Sequence, residues 1–329
     1  ATACVGLGLI SPEYHMLVVA LFVLANLSLE LSLGVYNGFL PEIVQPEETN
    51  AASAWGYGLG YLGGGIALAI AMIIIQYGAA WGVESVASRL RICIVLMGCW
   101  WGLFTIPAIL VLRDPPLRAQ NEPSRPVDRI LRESLSEVWQ TIKQLRFNRP
   151  LAFFLLAFLL YNDGVQTVIS QASTFALSEL SMPEAELMGV ILMIQFLAMP
   201  GAVLIAKTAD WFGKRRALLG CLATWCIALI SALWIKESAG FWILAAVIAL
   251  VLGGTQSVSR SLMSDMIPED QNAKYFGFFN LSGKATSFIG TFIFGLVIAM
   301  TDSSRLAIIA LVPLFIVGSV LLRQVRLRE

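Results

Sequence analysis

Long apolar stretches, separated by polar loops, run through most of the chain. They are about 20 residues long, the length of helix that crosses roughly 30 Å of hydrocarbon at about 1.5 Å per residue. They lack the alternation of apolar and polar positions that a membrane-crossing strand requires, so helices are predicted. The pattern gives a short N-terminal stretch at 1–10 and nine complete spans, at 16–40, 54–77, 91–112, 150–174, 185–207, 216–235, 240–259, 277–300 and 304–322.

Composition agrees with this pattern. Of the 329 residues, 57% are hydrophobic and 13% are charged, whereas soluble globular chains carry roughly a quarter charged residues. The mean hydropathy is +0.76. We therefore expect an all-α, multi-pass integral membrane protein whose immediate surroundings are a lipid bilayer.

Lys and Arg concentrate in alternate loops. Eight of them lie in residues 113–149, and further groups follow at 207–216 and 323–328, whereas the loops predicted on the opposite side have none in 172–186, only Lys236 in the next and only Arg305 in the last. Arg89 and Arg91 depart from this alternation, because they lie in a loop on the predicted outer side. Since basic loops stay in the cytoplasm, we predict a cytoplasmic C-terminus.

Residues 113–149 form the one long connection between spans. They open with Pro and polar residues, and from Val127 to Leu145 apolar positions recur at helical spacing. This pattern predicts an amphipathic helix with a basic polar face, lying on the cytoplasmic surface of the membrane. We interpret the segment as a linker between two helical bundles.

The spans are divided unequally by this linker, with three complete spans and the short stretch before it and six after it. Many transporters consist of two six-helix halves. We therefore predict the remainder of an N-terminal bundle at 1–112 (the end of helix 3 plus helices 4–6) and a C-terminal bundle of helices 7–12 at 150–329. On this interpretation about two and a half helices precede residue 1, and a genuine ten-helix protein is the alternative.

Polar side chains interrupt several of the apolar spans. An ionisable group at bilayer depth costs at least a few kcal/mol, so it usually faces a cavity or a partner. Hydrogen-bonded contacts that hold helices together are the alternative explanation. In the motif GGTQSVSRS, Ser257 and Arg260 accompany Gln256. The candidates for a substrate or ion path are Glu30, Asn37, Asp163, Gln166, Gln256, Asn280 and Lys284.

The stretch LAFFLLAFLLYNDGVQTVISQASTFAL, residues 151–177, has a carboxylate near the middle of a predicted span. Asp163 is tolerated at that depth if it faces water or a cation. Lys284 is the cation candidate nearest to it in depth. We hypothesise that the two side chains face one cavity and interact, directly or through a substrate. Asp163 as a proton-binding site is the alternative.

Three glycines recur every four residues in AWGYGLGYLGGG, at Gly56, Gly60 and Gly64. Small residues at this spacing line one face of a helix and allow a second helix to approach closely. The spacing therefore predicts a helix-packing face in the span 54–77.

The loop AKTADWFGKRRALL places Asp210 and Gly213 before three consecutive basic residues, Lys214, Arg215 and Arg216. Glycine permits a tight turn, and the basic residues hold the loop in the cytoplasm. The carboxylate of Asp210 is available to helix-end amides or to a nearby Arg. Topology alone explains the basic residues but not the acid.

This loop, ADWFGKRRA, resembles the signature loop of the major facilitator superfamily, D-x-x-G-[KR]-[KR]-R, in its second-half copy between helices 8 and 9. Three stretches narrow the resemblance to the vacuole effluxer branch, the autophagy-related permeases and their bacterial relatives. They are YNGFLPEI (36–43), SAWGYGLGYLGGG (53–65) and GGTQSVSRSLMSDMIPEDQNAKYFGFFNLSGK (253–284). The resemblance runs from late helix 3 to helix 12, and helices 1 and 2 have no counterpart.

The resemblance implies a secondary carrier that moves a small solute by alternating access around a site near the bilayer midplane. Helices 1, 4, 7 and 10 line the central cavity of this architecture, so the polar spans fall largely on its walls. Asp210 and its basic neighbours would then stabilise one closed state at the cytoplasmic side. The residues expected to line the site are Asp163, Gln166, Gln256, Asn280 and Lys284.

Fungal members of this branch are associated with the export of amino acids from the vacuole. Amino acids are the expected substrate, because a zwitterion suits a cavity that holds both a carboxylate and an ammonium. Carboxylates at depth also allow coupling to protons. The bacterial relatives favour a bacterial inner membrane as the location. A non-transporting receptor or scaffold relative, or an inactive gene fragment, is the alternative.

Other function classes find little basis in the sequence. A single His and the lack of metal-type spacing among His, Cys and Asp give no starting point for an enzyme. Nucleic-acid binding is excluded because the basic residues follow membrane topology instead of forming a groove. We expect a monomer that uses no cofactor and no metal.

Overall fold

The computed structural model describes residues 1–11, 13–112, 136, 139, 143, 145, 147–267, 271–285 and 287–325. Within these ranges the side chains of 273, 281–285 and 287 are not described. Every regular element in the described ranges is a helix, which confirms the all-α prediction.

Apart from the interval between Val111 and Arg149, the described α-helices follow one another with short connections, and a 3-10 helix at Pro46–Glu48 precedes the fourth of them. The described α-helices are α1 (Thr2–Leu9), α2 (His15–Gly38), α3 (Leu40–Ile43), α4 (Thr49–Tyr77), α5 (Val86–Val111), α6 (Arg149–Leu180), α7 (Glu184–Phe212), α8 (Lys214–Ser231), α9 (Ser238–Met266), α10 (Asn272–Ala285), α11 (Ser287–Thr301), α12 (Ser304–Ile309) and α13 (Val312–Arg323).

Local sequence explains where several of these helices begin and end. α6 begins after Asn148, whose side chain accepts a hydrogen bond from Leu151 N at 3.3 Å, and Pro150 stands in the first turn, where its missing N–H is not needed. α6 ends at Ser181 with a left-handed φ of 47°. A single residue, Gly213, separates α7 from α8 with a φ of +90°, a conformation that favours glycine.

Within the described ranges, seven helical segments are long and apolar enough to cross a membrane. They are His15–Ile43, Pro46–Tyr77, Val86–Val111, Arg149–Leu180, Glu184–Phe212, Ser238–Met266 and Ser304–Arg323. The prediction of nine complete spans stays a prediction, because residue 286, within the predicted span 277–300, lies outside the described ranges that were searched. α8 has 18 residues and opens with three basic ones, so it is not among the seven.

The predicted amphipathic helix between Val127 and Leu145 falls largely outside the described residues. The four residues of that stretch which are described, Ser136, Trp139, Lys143 and Leu145, are helical. Lys143 Nζ lies 5.6 Å from the centroid of the Trp139 ring, one turn earlier, and Trp139 is exposed. The membrane-surface role of the linker stays a prediction.

The chain divides into two compact units. The first comprises Ala1–Leu33 and Ile66–Gln144, and the second comprises Gly34–Gly65 and Leu145–Glu329. Residues 34–65 contain the end of α2 and the start of α4. By their contacts they belong to the same unit as the C-terminal helices. The predicted division at a linker between two bundles stays a prediction.

In the first unit, α1 packs closely against α5. A Cβ atom at Gly8 would lie 2.8 Å from Arg91 O, and one at Gly98 would lie 2.8 Å from Val5 N. The two backbones therefore touch at these glycines, as small residues allow between membrane helices.

Arg89 and Arg91, the exceptions to the positive-inside pattern, cap helix ends in this unit. Arg91 donates from Nε to Gly8 O at 3.0 Å and from Nη2 to Ile10 O at 2.8 Å, at the end of α1. Arg89 donates to the carbonyl of Ile75, near the end of α4. Basic side chains commonly satisfy the last carbonyls of a helix, which accounts for these two positions.

The core of the second unit lies among α6, α8, α9 and α13. Trp225 of α8 stacks on Phe315 of α13 with ring centroids 5.5 Å apart. Two pairs of polar groups in this core are hydrogen-bonded: Trp225 Nε1 donates to Thr255 Oγ1 at 3.2 Å, and the hydroxyls of Tyr161 and Ser259 lie 2.7 Å apart. These hydrogen bonds join α8 to α9 and α6 to α9. They fit the alternative explanation given for polar residues in the spans, in which hydrogen bonds hold helices together.

α7 and α9 make the closest helix contact in the second unit. A Cβ atom at Gly201 would lie 2.3 Å from Leu250 O, and one at Gly253 would lie 2.4 Å from Ala198 O. No side chain larger than hydrogen fits at either position without moving a backbone, so these glycines fix the distance between the two helices.

Candidate functional site

A buried arginine lies where residues 34–65 pack on α9. The Arg260 side chain is only 4% exposed. Its Nε donates to Ser53 Oγ at 2.9 Å, its Nη2 to Ser53 O at 2.9 Å and its Nη1 to Asn37 Oδ1 at 3.0 Å. Within the described part of the chain, every hydrogen-bond partner of this guanidinium is uncharged.

Two tyrosine rings and a glycine complete the surroundings of this guanidinium. Its carbon lies 4.6 Å from the centroid of the Tyr57 ring and 5.9 Å from that of Tyr36, both within the range of a cation–π interaction. A Cβ atom at Gly56 would lie 2.8 Å from Nη2. The lack of a side chain at Gly56 therefore leaves the space that the guanidinium fills.

Asn37 connects this site to α10. Its Oδ1 accepts from Arg260, and its Nδ2 donates to Asn280 Oδ1 at 3.1 Å. Nδ2 of Asn280 is buried and has no hydrogen-bond partner. The structure thus brings together two sequence-predicted site residues, Asn37 and Asn280, around an arginine that was not among the predicted site residues.

A polar stripe on α4 faces α7 and α9. It consists of Asn50, Ser53, Tyr57 and Tyr61, spaced i, i+3, i+7 and i+11 along one helical face. Ser53 Oγ donates to the carbonyl of Ser257 at 2.7 Å, and the Tyr61 hydroxyl donates to Oε1 of Gln256, another predicted site residue. At about 1.5 Å per residue, the stripe is about 16 Å long, roughly half the hydrocarbon thickness.

The glycines predicted to form a helix-packing face have different surroundings. A Cβ atom at Gly56 would meet the Arg260 guanidinium, and one at Gly64 would lie 2.8 Å from Gln195 Nε2. At Gly60 it would meet no described atom within 4 Å. Among the described residues, the outer two glycines make room for polar side chains. The helix-packing role of all three glycines stays a prediction.

The signature loop meets the first residue of the polar stripe. Asn50 Nδ2 donates to Asp210 Oδ1 at 2.7 Å and to Ala206 O at 2.8 Å. The partner of Asp210 is therefore a side-chain amide near the start of α4, whereas the sequence suggested helix-end amides or an Arg. Asn50 is 1% exposed, so this bond is shielded from water on one side.

The basic residues of the loop tie the end of α7 and the start of α8 to neighbouring segments. Lys214 Nζ forms an ion pair with Asp265 at 2.7 Å, near the end of α9. Arg215 Nη1 donates to Val325 O at 2.6 Å, beyond α13. Arg216 is exposed. Two of the three therefore fix the loop to the second unit in addition to any role in topology.

Asp163 lies in a second buried polar site, between α6 and α11. It is 1% exposed, and its Oδ2 accepts from Gly290 N at 2.7 Å. Its other oxygen, Oδ1, is buried and has no hydrogen-bond partner, and the same is true of Thr167 Oγ1 one turn later. A Cβ atom at Gly290 would lie 2.3 Å from that hydroxyl, so α6 and α11 are in tight contact here.

The remaining predicted site residues are not part of either cluster as described. Gln166 is half-buried on α6, and Glu30 is half-buried on α2 within the first unit. The side chain of Lys284 lies outside the described residues, and with it the predicted contact between Lys284 and Asp163. The described residues contain no group of three side chains suited to a metal ion.

Sequence patterns gave only a weak signal for Arg260 and its partners. Arg260 follows Gln256 by four residues and so shares its helical face, but it lies just beyond the predicted span 240–259. α9 in fact continues to Met266. The stripe on α4 was hidden because aromatic Tyr57 and Tyr61 count as apolar in a hydropathy pattern.

The sequence model of one protein family, described as "Vacuole effluxer Atg22 like", matches residues 45–329 of the chain. The chain belongs to this family. Among Atg22-like relatives, the chain is 29% identical over 317 residues to an uncharacterised MFS-type transporter, YxiO, of Bacillus subtilis, covering 96% of this chain and 72% of the relative. It is also 29% identical to autophagy-related protein 22 of Yarrowia lipolytica, covering 80% of this chain and 48% of the relative.

Solved structures show the same fold. The major facilitator transporter FucP in its outward conformation superposes with a TM-score of 0.71 at 16% identity, covering 99% of this chain and 81% of FucP. A bacterial homologue of the iron transporter ferroportin, in an outward-facing state, gives a TM-score of 0.57 at 16% identity over 96% of this chain and 74% of that one. The Atg22-like chain is therefore a multi-pass membrane protein of the major facilitator type, and its relatives associate it with membrane transport.

The chain spans 72% of the length of the Bacillus relative and about half that of the Yarrowia relative. The signature loop and three other motifs predicted a resemblance to the vacuole effluxer branch. The family match confirms this prediction.

Proposed function

We propose that the protein is a secondary-active carrier of a small solute that works by alternating access. The observation that carries this proposal is the polar stripe on α4. Residues 34–65 are joined to α7, α9 and α10 by hydrogen bonds between buried polar groups. Such bonds can be exchanged for bonds to water or to a solute, whereas a continuous apolar seam would favour a permanent contact.

In this proposal the hydrogen bonds of residues 34–65 hold one state closed at the cytoplasmic side. Asn50 with Asp210 forms the outermost contact, and Ser53 with Arg260 and Tyr61 with Gln256 form the next two along α4. The second half of the cycle requires all three contacts to open. The positions of Gln256, Asn37 and Asn280 along this face support a substrate path beside it.

We further propose amino acids as the substrate and protons as the coupling ion. The described residues offer a guanidinium at Arg260 and a carboxylate at Asp163, the two charges that a zwitterion requires. Asp163 is suited to carry a proton because one of its oxygens is buried without a hydrogen-bond partner, and an unpaired carboxylate oxygen is costly away from water.

The experiment that tests this function is transport by the purified protein in liposomes loaded with labelled amino acids. Efflux is followed with and without a pH gradient. We expect efflux that depends on the protein, that the gradient accelerates in the wild type, and that Asp163→Asn uncouples from the gradient. Folded protein that moves no amino acid under any gradient would count against amino-acid transport and favour a non-transporting receptor or scaffold.

A further inference from the structure

The charge of Arg260 has no counter-charge in the described structure. The side chain is 4% exposed and its three nitrogens donate to an amide oxygen, a hydroxyl and a main-chain carbonyl. An arginine at bilayer depth normally pairs with an acid or lies on a substrate path. A buried charge held by neutral groups alone is costly, because their dipoles replace only part of its hydration.

A second arginine in the same unit, Arg305, forms an ion pair with a carboxylate. Arg305 Nε lies 3.4 Å from Oε2 of Glu179, and the main-chain nitrogen of Arg305 donates to Oε1 of Glu179 at 2.9 Å. Its Nη1 caps carbonyls that follow α8, among them that of Ala232 at 2.8 Å. The half-buried Arg305 is therefore neutralised by a carboxylate of the chain, whereas the buried Arg260 has only neutral partners among the described residues.

The donor geometry of Arg260 matches a planar anion. A guanidinium has five N–H groups, and each of the terminal nitrogens carries one more N–H than its described hydrogen bond uses. Two parallel N–H donors are the arrangement that binds a carboxylate in bidentate fashion. The Tyr57 and Tyr36 rings lie against the guanidinium, within 4.6 and 5.9 Å of its carbon, and restrict the direction in which it can turn.

We propose that Arg260 binds the carboxylate of the transported solute, so that the substrates are small carboxylates, α-amino acids among them. That the bound carboxylate is a transported solute rests on the proposed function, whereas the binding of a carboxylate to Arg260 does not. To its hydrogen bonds with the guanidinium a carboxylate adds the attraction between opposite charges, which is strong where water is excluded and which neutral acceptors lack. An incoming carboxylate therefore competes successfully with Asn37 and Ser53 for the guanidinium.

This competition couples binding to movement. Asn37 and Ser53 both belong to residues 34–65, and both use Arg260 to hold that segment on α9. When a solute takes the guanidinium, those two anchors are released and the closed state loses part of its stabilisation. Solute binding is thus thermodynamically coupled to the release of residues 34–65 from α9, as alternating access requires.

The test uses binding to the purified chain in detergent, measured by calorimetry, with sets of ligands that differ in one group. For each amino acid that binds, the set is the acid itself, its amide, its decarboxylated amine and the carboxylic acid lacking the amino group; for leucine these are L-leucine, L-leucinamide, isoamylamine and 4-methylpentanoate. We expect the two carboxylates to bind and the amide and the amine to bind at least about tenfold more weakly. Uncharged L-fucose is included as a solute without a carboxylate.

Two variants assign the carboxylate contact to a residue. Arg260→Gln keeps hydrogen-bonding groups but removes the charge, and Arg260→Lys keeps the charge but removes the planar fork. We expect Arg260→Gln to bind the acid and the amide equally, and Arg260→Lys to retain weak preference for the acid. The matched control is the double variant Arg305→Gln with Glu179→Gln, which removes a paired arginine and should leave the preference unchanged.

The outcomes separate the inference from the function. Equal binding of acid and amide by the wild type, or binding of L-fucose but of no carboxylate, overturns the inference even if Arg260 variants fail to fold. Preference for the acid that survives in Arg260→Gln also overturns it. Carboxylate binding that depends on Arg260, together with no transport in liposomes, keeps the inference and refutes the carrier.

Discussion

Two arginines in the second unit, Arg305 and Arg260, differ in whether a carboxylate neutralises their charge. Glu179 accepts from the Ser303 hydroxyl at 3.1 Å and from the main chain of Arg305, besides facing the Arg305 guanidinium. That cluster joins α6 to α12 and is complete in itself. Arg260, which is more deeply buried, has only neutral partners among the described residues.

Arg305 thus belongs to a structural ion pair, whereas Arg260 carries a charge without a described counter-charge. The Arg305 cluster gains nothing from an external anion, because its carboxylate is already part of the chain. The Arg260 site is held by residues 34–65, which bear the polar stripe. If Arg260 has the proposed role, substitutions at Arg260 should affect transport far more than substitutions at Arg305.

The largest effect is expected from Arg260→Gln. Loss of the only described cation beside Asn37 and Ser53 should lower transport of carboxylated solutes by about 100-fold, since hydrogen bonds to a charged group are worth about 1.5–3 kcal/mol each. Transport is measured as efflux from liposomes at matched protein content. Unchanged efflux, with the variant shown to be folded, would mean that Arg260 only holds helices together.

Asp163→Asn should abolish the response to a pH gradient while retaining exchange at equal pH. The amide still accepts from Gly290 N but carries no exchangeable charge. Efflux with and without the gradient measures this ratio. Thr167→Val serves as the control for packing, because it removes the neighbouring hydroxyl without changing the carboxylate, and it should keep gradient dependence.

Gly56→Ala should weaken carboxylate binding by about tenfold, because a Cβ atom 2.8 Å from Nη2 forces the guanidinium to move. Gly60→Ala is the matched control, since nothing described lies within 4 Å of its Cβ position. The control should bind normally and gain up to about 1 kcal/mol in stability from better helix propensity. Equal effects of both substitutions would exclude a local contact with Arg260.

Asn50→Asp should open the contact between α4 and the signature loop. It places a second carboxylate next to Asp210, where the Asn50 amide now donates at 2.7 Å, and like charges at that distance repel. Amide hydrogen exchange in the first turns of α4 should become about 5- to 10-fold faster. Asn50→Asp combined with Asp210→Asn should return the exchange rate to near that of the wild type.

Arg305→Gln should have the smallest effect on transport and a clear effect on stability. Removing one member of the half-buried pair leaves Glu179 unpaired, at a cost of about 1–2 kcal/mol in the free energy of unfolding. The further change Glu179→Gln should recover part of this loss. Altered discrimination between acid and amide in Arg305→Gln would show that the two arginines do not have separate roles.

Much of the fold follows from the chain alone. Hydropathy predicted helices at every span, and the motif around Gly213 predicted both the tight turn and the family. The nine spans stay a prediction at α8, which opens with three basic residues, and at 277–300, which includes residue 286 outside the described ranges. The residues predicted to line a substrate or ion path all stay predictions in that role: Glu30, Asn37, Asp163, Gln166, Gln256, Asn280 and Lys284.

Local sequence determined the membrane helices, the family and the list of polar residues that a bilayer would not tolerate, because the transfer free energy of each side chain depends on that residue and its immediate neighbours. Only the tertiary structure decided which polar groups meet. Arg260 lies 207 residues from Ser53 and 223 from Asn37 along the chain, and Asp163 lies 127 residues from Gly290. No periodicity within one helix encodes such pairs, since they arise when separate helices pack side by side.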